Sequence, residues 1–204
     1  MQFKEYTWGP PLWKSTLTDE IIEGLLSRGS NIRGNEIHNA EINLGASTHD
    51  EWNYPRKDIN WFQSKIEPYI NSFMKSWAAH IDKEEINLKW TYDSLWINYI
   101  KTNDFNPLHD HVGNISSVMY LNDVDELQTE KERLGYVHNG PIPGSIVFSH
   151  NDEMKFFFPK KGDIYLFPAN LLHMVVPFKT PDVTRISVSG NVFFEDNPLL
   201  NYHI

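Results

Sequence analysis

The chain has 204 residues, with 18 Lys and Arg against 27 Asp and Glu, and a formal net charge of −9 at pH 7. Because binding to a phosphate backbone needs the opposite charge balance, we expect no nucleic acid partner. The absence of cysteine excludes disulfide scaffolds, thiolate metal sites and cysteine nucleophiles. No apolar run approaches the roughly 20 residues of a membrane span, and no basic flank precedes an apolar N-terminal stretch. We therefore expect a cytoplasmic protein with no signal peptide and no membrane partner.

The first half of the chain carries two helical patterns. Residues 18–27 begin with Thr-Asp-Glu and repeat isoleucine and leucine in pairs, which predicts a short amphipathic helix. Residues 59–81 place apolar side chains three or four positions apart, which predicts a long helix with one apolar face. Pro68 lies inside this second pattern and predicts a kink or a break there. Residues 1–88 are therefore predicted to be a helical N-terminal support region, whose long helix covers a sheet.

The second half reads as short strands separated by Gly, Pro, Asn and Asp. The seven predicted strands are residues 94–100, 115–121, 145–148, 155–158, 163–167, 173–177 and 184–194. Such a run without intervening helices indicates a sandwich, a jelly roll or a barrel. With no internal repeat and no linker, the sequence predicts a single domain, residues 1–204. Its class is mainly β with N-terminal helices (α+β), and residues 89–204 form the β core.

The densest polar cluster comes just before the strand at residues 115–121, and it contains His109, Asp110 and His111. In an extended segment, His109 and His111 point to the same side, about 6.6 Å apart along the chain, and Asp110 points away. Two imidazoles that face the same way can bind one metal ion, and His173 is the best candidate for a third ligand. A histidine on a strand is more often an ordinary core or surface residue, and the same His-x-His spacing occurs in zinc enzymes. The spacing alone therefore does not decide whether a metal binds.

The last predicted strand has one polar and one apolar face. Alternation places Arg185, Ser187, Ser189 and Asn191 on the first face, and Ile186, Val188 and Val192 on the second. We expect the long helix to cover the apolar face. A buried arginine needs a carboxylate, which either a bound dicarboxylate or an acidic residue of the chain can supply. In the first case, the Ser187 hydroxyl is a second donor.

Taken in order, three motifs resemble the Fe(II)/2-oxoglutarate-dependent oxygenases. They are His109-Asp-His111, then Gly-Asp-Ile-Tyr-Leu-Phe-Pro followed by His173, and Arg185-Ile-Ser. The resemblance covers roughly residues 90–194, and it is greatest to the small prolyl-4-hydroxylase-like members of marine bacteria and phages. It implies a double-stranded β-helix (jelly-roll) core with covering helices. It also implies Fe(II) as cofactor, 2-oxoglutarate as small-molecule co-substrate, and hydroxylation of a peptide or protein substrate, prolyl-like, with release of succinate and CO2.

The resemblance further implies which residues form the metal site. His109 and His173 match two iron ligands of the family. His111 stands where the family usually carries a carboxylate, so we predict a three-histidine site formed by His109, His111 and His173. If the chain bends locally, Asp110 replaces His111 as the third ligand.

The same resemblance assigns the co-substrate contacts. Arg185 binds the far carboxylate of 2-oxoglutarate with the help of Ser187, and Tyr120 and Asn98 are further contacts to it. Trp96, Phe105 and Tyr120 either line the pocket or belong to the core.

Two other interpretations and one structural question stay open. In the first alternative, the chain is a cupin-like three-histidine metalloenzyme that does not use 2-oxoglutarate. In the second, it is a catalytically inactive jelly-roll binding module. Residues 123–143 form either a lid over the site or a solvated surface loop. The sequence does not indicate an oligomeric state.

Overall fold

A computed structural model describes residues 2–6, 9–40, 50–83, 88–133 and 140–195. Within these ranges the chain forms strands β1–β11, helices α1–α3 and a short 3₁₀ helix at Glu36–His38. The strands are β1 (Phe3–Tyr6), β2 (Leu12–Thr16), β3 (Glu51–Asn53), β4 (Trp90–Ile100), β5 (Asn106–His109), β6 (Ile115–Tyr120), β7 (Ile146–His150), β8 (Glu153–Phe157), β9 (Asp163–Pro168), β10 (Leu172–Val175) and β11 (Arg185–Phe194). The helices are α1 (Asp19–Ile32), α2 (Arg56–His80) and α3 (Glu126–Arg133).

The strands form two antiparallel sheets. The larger sheet has the order β1-β2-β9-β6-β11-β4-β3, and the smaller sheet has the order β5-β10-β7-β8. An apolar cluster joins them, with members from both sheets: Leu12, Val118, Tyr120, Ile146, Phe148, Tyr165, Phe167 and Leu171. This arrangement confirms the predicted jelly roll, because alternate side chains of both sheets fill the space between them.

The helices α1 and α2 cover the outer face of the larger sheet. The apolar residues of α2 recur every three or four positions, and the buried ones include Ile59, Phe62, Ile66, Ile70, Phe73 and Trp77. They belong to the same core cluster as Val188 and Val192, the outward side chains of β11. The predicted two faces of the last strand are therefore present, and its apolar face is covered by the long helix.

Helix α2 runs continuously through Pro68, so of the two outcomes predicted there, a kink or a break, the break does not occur. Pro68 lies on the exposed face of α2, and so does Ser64, whose carbonyl loses its partner because proline has no N–H. Water can hydrate that carbonyl. The buried Ile66, Tyr69 and Ile70 hold the helix on the sheet on either side of the proline.

The prediction that residues 1–88 are helical was incomplete. They also contain β1 and β2, which extend the larger sheet beyond β9, and β3, which lies at its opposite edge beside β4. These strands have three to five residues, too few for a clear alternation of polar and apolar positions. All seven predicted strands are present with shifted ends, and α1 continues five residues past its predicted end at residue 27. Among the described residues, no helix has both the length and the apolar character needed to cross a bilayer.

Candidate active site between the two sheets

Three histidines converge at the smaller sheet. His109 ends β5 and lies directly opposite His173 of β10 in the strand register. His111 follows the end of β5, and its backbone N–H donates to the carbonyl of Ala169 at 2.9 Å. The ring centroids are 4.3 Å apart for His109 and His173, and 4.9 Å for each of the other pairs. One ring nitrogen from each residue lies within 4.8 Å of the other two, which is a spacing that a single metal ion can bridge.

Hydrogen bonds and burial prepare these imidazoles as neutral ligands. The Nδ1 atoms of His109 and His173 lie 2.6 Å and 2.9 Å from the carbonyls of Pro107 and Leu171, so Nδ1 carries the proton and Nε2 keeps its lone pair. Burial lowers the pKa of all three rings, and it brings the pKa of His111 to about 4 with a smaller contribution from His109. Nε2 of His173 lies 3.2 Å from Nε2 of His111. Two lone pairs at that distance repel each other unless a cation or a proton lies between them.

The structure places Asp110 outside this cluster. Its side chain is exposed, whereas His111 is half-buried and packs 5.5 Å from the ring of Trp96. Strand β5 ends at His109, so the convergence of His109 and His111 depends on the irregular turn after the strand as well as on the alternation expected for extended chain.

Arg185, the first residue of β11, is a buried cation without a carboxylate partner among the described residues. Its side chain is 1% exposed, and one Nη atom donates to the carbonyl of Gly144 at 2.5 Å. Its Nε has no partner, and the guanidinium lies 5.3 Å from the centre of the Tyr120 ring. Burial lowers the pKa of Arg185, although Tyr120 opposes the shift. A buried guanidinium with a free N–H is suited to an anion that enters from outside the chain.

The other predicted co-substrate residues lie beside Arg185 in the larger sheet. Ser187 is opposite Asn98 on one side and opposite Tyr120 on the other. The Tyr120 hydroxyl is buried without a partner, and burial raises its pKa to about 12 in spite of Arg185. That hydroxyl therefore keeps its proton and can donate it to an acceptor. The side-chain amide of Asn98 donates weakly to Ser189 at 3.5 Å.

A cavity between the sheets joins both groups of residues. Its lining includes His109, His111, His173, Asn98, Tyr120, Arg185 and Ser187. Trp96 also lines it, which is one of the two alternatives left open for this residue. Phe105 is 38% exposed and is not part of the lining, so it belongs neither to the pocket nor to the core.

The sequence analysis assigned no role to three polar residues of this cavity, Glu51 of β3, Asn106 of β5 and Ser117 of β6. None of them belongs to one of the three motifs, and β3 was not predicted at all. The segment proposed as a lid contains α3, whose Glu130 accepts hydrogen bonds from the backbone of Lys179 and Thr180. Residues 134–139 of that segment lie outside the described residues, so the lid stays a prediction.

A family model for 2OG-Fe(II) oxygenases matches residues 94–191, the stretch from β4 to β11 that holds all the predicted site residues. This match covers just under half of the chain, so the chain is similar to this family in its β core. The similarity indicates an enzyme of the 2OG-Fe(II) oxygenase class, whose members use Fe(II) and 2-oxoglutarate. No curated protein matches the sequence.

Solved structures share the fold at low sequence identity. A prolyl-4-hydroxylase from Pseudomonas putida is 12% identical, with 90% of this chain and 91% of that chain covered and a TM-score of 0.56. The viral collagen prolyl hydroxylase of Paramecium bursaria Chlorella virus-1, solved with 2OG, is 14% identical, with 89% and 94% covered and a TM-score of 0.56. The α-ketoglutarate-dependent epimerase SnoN of nogalamycin biosynthesis is 10% identical, with 89% and 76% covered and a TM-score of 0.56.

The residues present fit both groups that this family uses. Three neutral imidazoles within 4.8 Å of one another can hold a divalent iron, for which imidazole is a common ligand. The buried guanidinium of Arg185 has an unpaired Nε, which can donate a hydrogen bond to one carboxylate of a dicarboxylate. Both lie on the wall of one cavity, so a single small molecule can reach them together.

Proposed function

We propose that this oxygenase hydroxylates a peptidyl substrate, with a prolyl-like residue as one candidate, and releases succinate and CO2. The observation that carries the proposal is the shared cavity, whose wall holds the three-histidine cluster and the buried Arg185. A bound Fe(II), together with 2-oxoglutarate and O2, supplies the oxidation of a C–H bond.

In this proposal His109, His111 and His173 hold the iron. All three ligands are neutral, so they leave the double positive charge of the ion uncompensated. One carboxylate of 2-oxoglutarate offsets part of that charge, while the far carboxylate pairs with Arg185. We therefore expect the protein to bind the metal weakly by itself and more firmly when 2-oxoglutarate is present.

Arg185 binds the far carboxylate of 2-oxoglutarate through its fork of N–H donors. Ser187 and the protonated Tyr120 hydroxyl are further donors beside it, and Asn98 is the next polar neighbour in the sheet. Because this wall of the cavity is buried, water does not compete with these hydrogen bonds.

The peptidyl substrate is supported by two of the solved structures that share the fold, since both are prolyl hydroxylases. SnoN shares the fold to the same degree and is an epimerase, so the fold alone does not decide the substrate. A metalloenzyme without 2-oxoglutarate, or an inactive binding module, has no use for an unpaired buried arginine beside the histidines, which argues against both alternatives.

The test is a measurement of succinate release from purified protein supplied with Fe(II), O2 and 2-oxoglutarate, with and without peptides. We expect slow release without peptide, dependent on both Fe(II) and O2. Arg185→Ala should bind 2-oxoglutarate more weakly and retain metal. Absence of succinate under all of these conditions would refute the proposal.

A further inference from the structure

Glu51 places an acidic group on the wall of the active-site cavity. Of the described residues that line the cavity, it alone is acidic, and it is 1% exposed. The preceding residue, Asp50, has a different role. Its carboxylate accepts hydrogen bonds from Arg33, Lys101 and the Trp52 indole, so it ties neighbouring elements together. Glu51 lines the same cavity as the three histidines.

The neighbours of Glu51 extend this acidic site. In the register of β3 and β4, Glu51 lies directly opposite Asn98, and Trp96 is its diagonal neighbour on the same face. The Trp96 ring lies 5.5 Å from that of His111. On the facing strand β5, the Asn106 side-chain carbonyl is buried without a partner, and its amide nitrogen lies 3.4 Å from Nε2 of His109. A carboxylate, an indole ring and an amide carbonyl therefore line one cavity with the three histidines.

These three groups share a chemical preference. A carboxylate and a carbonyl accept hydrogen bonds, and an indole ring attracts a cation to its face. Glu51 is unsuited to 2-oxoglutarate, because that molecule carries two negative charges and its carboxylate partner in the proposed function is Arg185. A cationic group of the prime substrate suits the chemistry of this side of the cavity.

We propose that the prime substrate carries an ammonium or guanidinium group, which Glu51 binds with help from Trp96 and Asn106. This inference rests on the proposed function and specifies its substrate class. A cationic nitrogen held at Glu51 presents the neighbouring carbon atoms of the substrate to the metal centre, so Glu51 selects the substrate. Lysyl and arginyl side chains supply this chemistry within a peptide.

The test compares blocked amino acids on the Mn(II)- and 2-oxoglutarate-loaded protein by calorimetry. The probes are the N-acetyl methylamides of lysine, arginine, norleucine and proline. Norleucine matches lysine in its carbon chain but lacks the charged nitrogen. We expect the lysine or the arginine probe to bind roughly ten- to a hundredfold more tightly than norleucine, which is the range of a hydrogen bond to a charged group.

Two variants show whether Glu51 causes the preference for a cationic probe. Glu51→Gln keeps the shape of the side chain and should reduce the preference for the cationic probe to less than about threefold, whereas Glu23→Gln, an exposed change on α1, should retain it. Equal binding of lysine, arginine and norleucine probes to the unmodified protein, or no measurable binding of either cationic probe, overturns the inference. So does a Glu51→Gln protein that loses Mn(II) affinity but keeps the probe preference, because Glu51 would then act on the metal.

The same protein separates the two proposals. Succinate release without any probe reports on the proposed function, and the ratio of lysine to norleucine affinity reports on Glu51. Release of succinate without a cationic preference overturns the substrate class alone. A cationic preference in binding without succinate release overturns the hydroxylase and leaves a cation site.

Discussion

Replacing Arg185 with methionine should abolish much of the 2-oxoglutarate affinity without unfolding the free protein. Methionine fills a similar length of the cavity but carries no charge and no donor. In the free protein the guanidinium is 1% exposed, makes one hydrogen bond to Gly144 and has an unpaired Nε. Removing that hydrogen bond leaves a carbonyl without its partner, at a cost of about 1–3 kcal/mol. Removing the buried charge relieves a desolvation penalty of several kcal/mol, so the two effects nearly cancel.

For the binding of 2-oxoglutarate, no opposing effect compensates the loss of the arginine. A hydrogen bond to a charged group contributes roughly 1.5–3 kcal/mol, so its loss weakens 2-oxoglutarate binding about ten- to a hundredfold. Two measurements are needed. Calorimetric titration of the Mn(II)-loaded protein gives the dissociation constant for 2-oxoglutarate, and urea denaturation of the metal-free protein gives the free energy of unfolding. Arg185→Lys is the matched control, because it keeps the positive charge and loses the fork of N–H donors of the guanidinium.

Two results would refute this reasoning. If Arg185→Met lowers the free energy of unfolding by about 3–5 kcal/mol, the arginine is half of a buried ion pair within the chain. If the variant binds 2-oxoglutarate as well as the parent does, Arg185 is not the carboxylate anchor. Unchanged Mn(II) affinity in both variants is required for either conclusion.

Three further predictions concern the metal site, a glycine and the half-buried carboxylate of Asp50. His111→Ala should lower Mn(II) affinity at least tenfold, whereas Asp110→Ala should change it less than about twofold, because that side chain is exposed; metal titration checks both. Gly144→Ala should destabilise the protein by about 1–2 kcal/mol or more in urea denaturation, because φ is +83° there and an added Cβ would lie 2.6 Å from Leu127. Asp50→Asn should destabilise the protein by about 1–2 kcal/mol at pH 7. Burial raises the pKa of the Asp50 carboxyl, but the hydrogen bonds from its neighbours, chiefly Arg33 and Lys101, have the larger effect and hold that pKa at about 2. Since the folded pKa lies below the ordinary 3.8, the Asp50 contribution is complete above that pH and is lost as the pH falls towards 2.

Each of these predictions has a contrary outcome. Loss of metal binding in Asp110→Ala but not in His111→Ala would move the third ligand by one residue. A Gly144→Ala protein as stable as the parent would mean that the turn relaxes freely, and its 2-oxoglutarate affinity would then be unchanged as well. For Asp50, a difference in the free energy of unfolding between variant and parent that is the same at pH 7 and pH 2 would exclude the ionised carboxyl as its cause. Asp104→Asn is the control, since that side chain caps a turn near Lys101 instead.

The sequence determined the β core and the long covering helix, because local periodicity encodes both. Alternation along residues 184–194 separates Arg185 and Ser187 from Val188 and Val192, and the same separation exists in the sheets. The apolar face of α2 follows from apolar residues that recur three or four positions apart. Strands β1, β2, β3 and β5 escaped prediction because they are short and owe their conformation to pairing with neighbouring strands rather than to their own pattern.

The sequence also supplied the motif residues of the site, but their assembly is a tertiary property. His173 follows His109 by more than sixty positions, and they meet because β5 and β10 pair in register. Whether Arg185 has a carboxylate partner could not be read from the sequence, since any of 27 acidic residues was available to it. Glu51 and Asn106 belong to no motif, and they reach the cavity because one edge strand pairs with β4 while β5 faces it from the other sheet. Local patterns fix which face of a strand is polar, whereas the pairing of distant strands decides which polar faces meet.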